Sequence, residues 1–308
     1  AVLTEGVDIT AELVNEGEHW NLHMKGDRLQ VDLTQAVQVR DMQAMRRAAV
    51  QSVALMQSAE RPVIVQALRR GTDGVLEARH MLHANQLTLS PDAGGRLVGQ
   101  GPGWYRGWMI PKSDGPLSGR QNQSAKDPNE RSITGIHLVF NDSMQGDLYA
   151  RNLDFLRGVR VGVRSVESWE EVVDAQKMDA ISVGESTLDC DRLRFNLEPG
   201  HDSSHRLAGT PTPWEMEANS GVVFRTRNDS GLLEGTASRA SYSSSKDLFT
   251  VEGAPNQPAI FRQTRPDGSA GPEGAVRTMS IRPSTMKVEN AVIERLNIAT
   301  PPQNLRRK

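Results

Sequence analysis

Cysteine is almost missing from these 308 residues: Cys190 stands alone. A single thiol excludes an internal disulfide framework and a four-cysteine zinc site. An excess of charge is missing too. Thirty-six Lys and Arg against 38 Asp and Glu give a formal net charge of -2. The basic residues are scattered, so nothing electrostatic calls for a nucleic-acid partner. The closing Arg306-Arg307-Lys308 reads as a solvated end of a tail. No apolar run approaches the length of a membrane span, and no signal peptide is visible. The chain opens with Ala1-Val2-Leu3-Thr4-Glu5-Gly6, already in strand-like sequence, and is expected to be a piece of a longer polypeptide.

What the sequence does contain is a recurring phrase: a small residue, a polar or charged pair, then an alternating apolar segment. It runs Gly26-Asp27-Arg28-Leu29-Gln30-Val31, then Ala84-Asn85-Gln86-Leu87-Thr88-Leu89. It returns as Ala150-Arg151-Asn152-Leu153-Asp154-Phe155 and Cys190-Asp191-Arg192-Leu193-Arg194-Phe195. Looser copies are Ala237-Ser238-Arg239-Ala240-Ser241-Tyr242 and Arg277-Thr278-Met279-Ser280-Ile281. Internal repetition implies one structural unit used many times, and each copy has the period-2 alternation of a strand. An all-β body built of repeated strand pairs follows, with no single catalytic centre implied. Cys190 fills the small-residue slot held elsewhere by Gly26, Ala84 and Ala150, which makes it a small buried filler.

Along the chain, Val7, Ile9, Ala11 and Leu13 alternate as a half-buried strand, and Asn15-Glu16-Gly17-Glu18 turns it back. The apolar phase slips by one between Met24 and Leu29, so a bend at Gly26 is needed to keep both halves facing one core. Residues 38–49 break this rhythm: Val39, Met42, Met45, Ala48 and Ala49 have helical spacing, predicting a short inserted helix. Residues 112–131 are polar and aperiodic, a mobile loop in expectation. Ser168-Trp169-Glu170-Glu171 opens like a capped helical turn. The expected organisation is therefore β repeats over 1–111, a flexible loop over 112–131, β repeats over 132–300 and a frayed tail over 301–308.

The segment from Gly235 to Gly253 resembles the recurring unit of the OstA-like family, the amino-terminal domains of the LptA, LptC and LptD proteins that carry lipopolysaccharide between membranes. In that unit a strand ends in a small-polar-basic-apolar phrase, a short polar turn follows, and the next strand ends in an acidic residue and Gly. Here those parts are Ala237-Ser238-Arg239-Ala240, Ser243 to Asp247, and Glu252-Gly253. Asp27-Arg28-Leu29-Gln30-Val31-Asp32-Leu33 and Asp191-Arg192-Leu193-Arg194-Phe195-Asn196-Leu197 look like the same unit. The similarity covers residues 217–295 and is patchy before that. It implies an elongated β-jelly-roll of folded-over antiparallel sheets, located in the periplasm or cell envelope. It also implies a non-enzymatic activity without cofactor or metal: binding lipopolysaccharide or a similar lipid in a greasy trough and passing it on. Like modules would be partners, joined edge to edge by strand pairing. On this reading Leu29, Val31, Leu87, Leu89, Leu153, Phe155, Leu193, Phe195, Leu248 and Phe261 line the inner wall. Each buried lipid methylene would contribute about 0.8 kcal/mol. Any one such side chain is more often plain core than ligand wall, since every sandwich or solenoid needs such a row.

Two other functions remain open on the sequence: a polysaccharide-binding or polysaccharide-cleaving β-solenoid, and a structural or adhesive repeat protein. Asp189 and Asp191, two apart on a strand, would be the acids of a glycosidase-like pair. The histidine pairs His19/His23, His80/His83 and His201/His205 invite a metal reading. On a strand, however, positions four apart lie roughly 13 Å from each other, too far for one ion. Gly94-Gly95 and Gly101-Pro102-Gly103 carry no phosphate-loop lysine. Trp104, Tyr105 and Trp108 form an aromatic cluster suited to packing over the end of a sheet or to meeting a sugar or lipid.

Overall fold

The computed structural model describes residues 2–15, 18–35, 49–59, 61–71, 73–91, 95–110, 133–147, 150–197, 214–282 and 287–297. Within them twenty strands form one antiparallel sheet. The first half of the chain gives β1 (Val2–Leu3), β2 (Val7–Asn15), β3 (Glu18–Gly26), β4 (Arg28–Leu33), β5 (Val50–Met56), β6 (Val63–Arg70), β7 (Leu76–Ala84), β8 (Gln86–Ser90), β9 (Arg96–Gln100), β10 (Gly103–Met109), β11 (Ile133–Phe140) and β12 (Ser143–Asp147). Longer strands follow: β13 (Asn152–Val166), β14 (Ser186–Leu197), β15 (Trp214–Asn228) and β16 (Gly231–Ser243). Then come β17 (Leu248–Glu252), β18 (Ala259–Thr264), β19 (Ala270–Arg282) and β20 (Lys287–Asn297). The protein is all-β, and the expected strand pairs are present. The helix predicted over 38–49 lies outside the described residues apart from Ala49, whose carbonyl accepts from Thr34 N. The 112–131 loop and the 301–308 tail are outside them as well.

The pairings run along two lines. In one, β1, β4, β5, β8, β9 and β12 follow each other; in the other, β2, β3, β6, β7, β10 and β11 do. Both lines meet on β13, whose first half pairs with β12 and second half with β11. From there β14, β15 and β16 are long enough to serve both lines. β17 and β18 divide one crossing between them, and β19 and β20 complete the series. The sheet folds over between the lines, giving two layers joined by a crease. Phe140 and Phe155 meet across it with ring centroids 5.5 Å apart, and Phe224 and Phe249 at 5.9 Å.

The recurring phrase marks the crease. Gly26-Asp27-Arg28 connects β3 to β4, Ala84-Asn85-Gln86 connects β7 to β8, and Cys190-Asp191-Arg192 and Ala237-Ser238-Arg239 bend β14 and β16. The small slot sits where the layers are closest: a Cβ on Gly26 would lie 2.7 Å from Leu55 Cδ1. The polar slot ties neighbouring crossings together. Asn85 Nδ2 donates to the Gly101 carbonyl (2.7 Å) and Asn85 Oδ1 accepts from Gln57 Nε2 (2.8 Å). Ser238 Oγ donates to the Glu252 carbonyl at 2.8 Å. The basic slot turns outward into ion pairs, Arg192 with Asp154 and Arg239 with Glu217 and Glu252. The long strands bend through bulges, between Leu156 and Val159 and between Asn219 and Val222. Each bulge places two residues in the left-handed region: Arg157 and Gly158, then Ser220 and Gly221. The Ala150 copy is a correction. It lies in the β12–β13 turn at the open margin, with Ala150 N donating to Asp147 Oδ1, and the crease of β13 falls at Arg157-Gly158 instead.

One connection departs from the zigzag. Residues 167–185, between β13 and β14, fold back over the outer face of the second layer as a strap with a 3-10 turn at Ala175–Lys177. Its Val173, Met178 and Ile181 bury against Trp108, Ile133 and Val166. Glycines make room for it: a Cβ on Gly135 would lie 2.7 Å from Val173 Cγ2, and one on Gly162 2.5 Å from Met178 Sδ. Trp108 Nε1 donates to the Glu171 carbonyl (2.7 Å) and Arg79 to that of Trp169 (3.0 Å). Ser168 Oγ accepts from Glu170 N in a turn that does not become helical, and the cap of the strap's 3-10 turn is Asp174, whose Oδ1 accepts from Gln176 N.

Candidate functional site

Strand alternation turns every second side chain toward the space between the layers. Cross-strand register then lines these side chains up into rows that run the length of the sheet. On the first layer, the row beside the crease passes through Leu29, Leu55, Leu87, Gly99, Met144, Phe155, Leu193, Ala218, Ala240, Val251 and Met279. The next row out passes through Val31, Val53, Leu89, Leu97, Gly146, Leu153, Phe195, Met216, Tyr242, Phe249 and Ile281. No charged side chain interrupts either.

The two rows differ in exposure, and that decides what each can do. From Met144 through Val251 the crease row is at most 2% exposed, with Leu193 at 0%. It is solid core. One row out, Val31, Val53, Leu89, Leu97, Leu153, Phe195, Phe249 and Ile281 are all half-buried, while Met216 and Tyr242 are buried. Water therefore reaches the apolar lining one row away from the crease.

Eight of the ten residues expected on the inner wall fall in these rows. Leu29, Leu87, Phe155 and Leu193 are in the crease row, and Val31, Leu89, Leu153 and Phe195 in the outer one. Phe261 faces inward on the second layer, in line with Phe224 across Gly235. Gly235 is bare because a Cβ there would lie 2.2 Å from Phe224 Cζ. Leu248 is a correction. It pairs with Ser243, one residue out of phase with the inward pair Tyr242 and Phe249, so it belongs to the outer face and Phe249 takes its place.

Sequence reasoning missed an inward polar group near the open margin of the second layer. Trp20, His80 and Tyr105 stand side by side, with Trp20–His80 and His80–Tyr105 ring centroids both 6.0 Å apart. His80 Nδ1 shares a hydrogen with Tyr105 Oη at 2.7 Å. Burial, and then the Arg69 cation, push the His80 pKa down to about 4, and burial raises that of Tyr105. Gly107 is the room for the Tyr105 hydroxyl, which would lie 2.6 Å from a Cβ there. The only sequence signal was phase: Trp20 and His80 keep the parity of Met24 and Leu82 on their own strands, while the in-phase neighbours of Tyr105 on β10 are Gly103, Gly107 and Met109.

The other sequence candidates separate. His80 faces inward and His83 outward, so three-residue spacing on a strand divides them. His19 and His23 share the outer face of β3, and His201 and His205 lie outside the described residues. Among the described residues no three His, Cys, Asp or Glu side chains gather as a metal site. Asp189 and Asp191 border a shallow outer depression by the crease with Gly158, Arg160 and Gly221. Burial raises the Asp189 pKa against the opposing pull of Arg160, 3.7 Å away. Cys190 is buried, and burial, with Asp189 and Asp191 beside it, pushes its thiol up to about 12, an unreactive filler as expected. No known protein family and no curated protein matches this chain.

Proposed function

We propose that this protein is a non-enzymatic lipid carrier of the OstA-like kind, holding lipopolysaccharide or a similar lipid between its two layers in the periplasm or cell envelope. The outer row carries the reading: a lining with no charged side chain across strands from β4 to β19, half-buried except at Met216 and Tyr242, which join the core. Acyl chains laid against Leu153, Phe195 and Phe249 would leave water there, and ten methylenes would contribute about 8 kcal/mol before ordering costs. Sugars and phosphates would stay at the open margin. The jelly-roll of that family is a folded-over sheet of this sort. Among the described residues β1 and β2 at one end and β20 at the other each pair on one side only, and apolar Val288, Val292, Ile293 and Leu296 stand exposed on β20. Such edges suit strand addition by a like module.

A photo-crosslinking residue placed at Leu153 or Phe195, with Thr250 on the outer face as control, tests the proposal. Radiolabelled lipopolysaccharide should attach at the two inner positions and not at Thr250. Equal labelling of all three, or labelling of Thr250 alone, would refute it.

A further inference from the structure

One arginine on the outer face of the second layer breaks a pattern that its neighbours keep. Half-buried arginines there lean on oxygens: Arg79 on the Trp169 carbonyl, Arg160 on Asp179, Arg164 on Glu171 and Arg225 on Glu234. Arg106, half-buried on β10, has no oxygen partner among the described residues. Its guanidinium carbon lies 4.6 Å from the centroid of the Trp104 ring, and its Nε is buried without a hydrogen-bond partner.

The residue opposite Arg106 on β11 is His137, which is 4% exposed. Its Nδ1 accepts a hydrogen bond from the strap, from Ala175 N at 3.0 Å. A neutral imidazole that accepts at Nδ1 must carry its hydrogen on Nε2. That Nε2 is likewise buried and has no acceptor. On its other side Arg106 pairs with Met81, and His83, two residues along β7, pairs with and stacks on Trp104 with centroids 5.5 Å apart. Buried donors are almost always satisfied, so the His137 Nε2–H and the Arg106 Nε–H, neither with an acceptor, are an exception. The Asp174 carboxylate lies on the Nδ1 side of the imidazole, 3.8 Å from that nitrogen. It is engaged there by Lys177 and by Gln176 N.

We propose that the Arg106–His137 rung, bordered by Trp104 and His83, binds a phosphate-class oxyanion at the edge of the strap. A tetrahedral oxyanion supplies the acceptors that both nitrogens lack. It also supplies the negative charge that Arg160, Arg164 and Arg225 find in carboxylates of the protein and Arg106 does not. The site is on the face opposite the apolar lining, so it does not rest on the lipid-carrier reading. The oxyanion is either a soluble phosphate or the phosphate of a lipid headgroup.

The test is NMR on the full chain in phosphate-free buffer, following the His137 Nε2 resonance. Inorganic phosphate is titrated in one arm and phosphatidylglycerol vesicles in the other. A saturable shift with an accompanying rise in the His137 pKa is expected in at least one arm. Phosphate alone identifies a soluble ligand, and vesicles alone identify a headgroup. Arg106→Gln should weaken the response at least tenfold and Arg106→Lys should restore part of it. Phe195→Ser, on the inner lining, should leave it unchanged, which separates this site from the carrier function. No saturable shift in either arm of the parent protein, or an undiminished response in Arg106→Gln, overturns the proposal.

Discussion

Acid should loosen the strap at one identifiable hydrogen bond. His137 Nδ1 accepts from Ala175 N only while the ring is neutral. Burial is the main cause that lowers its pKa, Arg106 on the next strand adds to it, and Asp174 on the strap opposes both; the result is about 4 against an ordinary 6.5. Lys177 faces the site through its pairing with Asp174. A released strap returns His137 to the ordinary value and so binds more protons than the docked strap between pH 6.5 and 4. Docking is therefore strongest above pH 6.5 and weakens as pH falls toward 4. Linkage makes the loss about 2 kcal/mol at pH 5 and about 3 kcal/mol at pH 4. Hydrogen exchange at the Ala175 amide reads this directly. Its protection, taken relative to an amide of β14 such as Leu193, should fall about 20-fold between pH 7 and pH 5. His137→Gln, which keeps an acceptor without a titrating ring, should flatten the profile. A ratio constant from pH 7 to pH 4, or an unaltered profile in His137→Gln, would show that this histidine does not latch the strap.

Other substitutions probe the core, the strap and the outer ladder. Leu193→Ala, at a fully buried crease position, should cost about 3–5 kcal/mol in denaturant unfolding. Gly162→Val drives a side chain into Met178 and Ala175. It should open residues 167–185 to limited proteolysis while far-UV circular dichroism stays that of the parent. Asp154 is buried, which pushes its carboxyl up. Hydrogen bonds from Arg194 and Arg192 outweigh this and hold it below the usual carboxylate range. Asp154→Ala should therefore cost more than Arg192→Ala, by about 1–2 kcal/mol, because the second leaves Asp154 still paired with Arg194. Equal costs in thermal denaturation would count against that shared anchor.

The two-layer body was legible because its unit is local. A small residue and a polar residue come together at the crease in Gly26-Asp27-Arg28, Ala84-Asn85-Gln86, Cys190-Asp191-Arg192 and Ala237-Ser238-Arg239, so the phrase carries its own geometry there. β13 and β15 cross instead on the left-handed pairs Arg157-Gly158 and Ser220-Gly221. The same locality explains the misplaced copy at Ala150. A tight turn at the open margin also wants small, polar and left-handed residues, and Arg151 has φ 55°. Leu248 was misplaced by the short spacing between the Ser243–Asp247 turn and β17, which lets the alternation be entered one residue early. The strap left no trace in periodicity. Its buried Val173, Ala175, Met178 and Ile181 follow neither period 2 nor 3.6, because they dock as an irregular segment. What betrays it is on the sheet, in Gly135 and Gly162, and glycines within strands have too many other uses to be decoded without the layer above them. The inner lining was half legible. Phase told which side chains point inward, but only the fold separates the packed crease row from the wetted row beyond it.

The zigzag across the crease sets a rule of parity for this architecture. Each passage reverses the chain's direction, so one passage removed or added alone would force neighbours into parallel alignment and turn the connecting loop onto the wrong margin. Two passages together, such as β17 with β18 followed by β19, can be gained or lost without disturbing either. The interior can thus be lengthened or shortened in even steps while its cross-section is preserved, and its reach becomes a matter of copy number rather than of redesign.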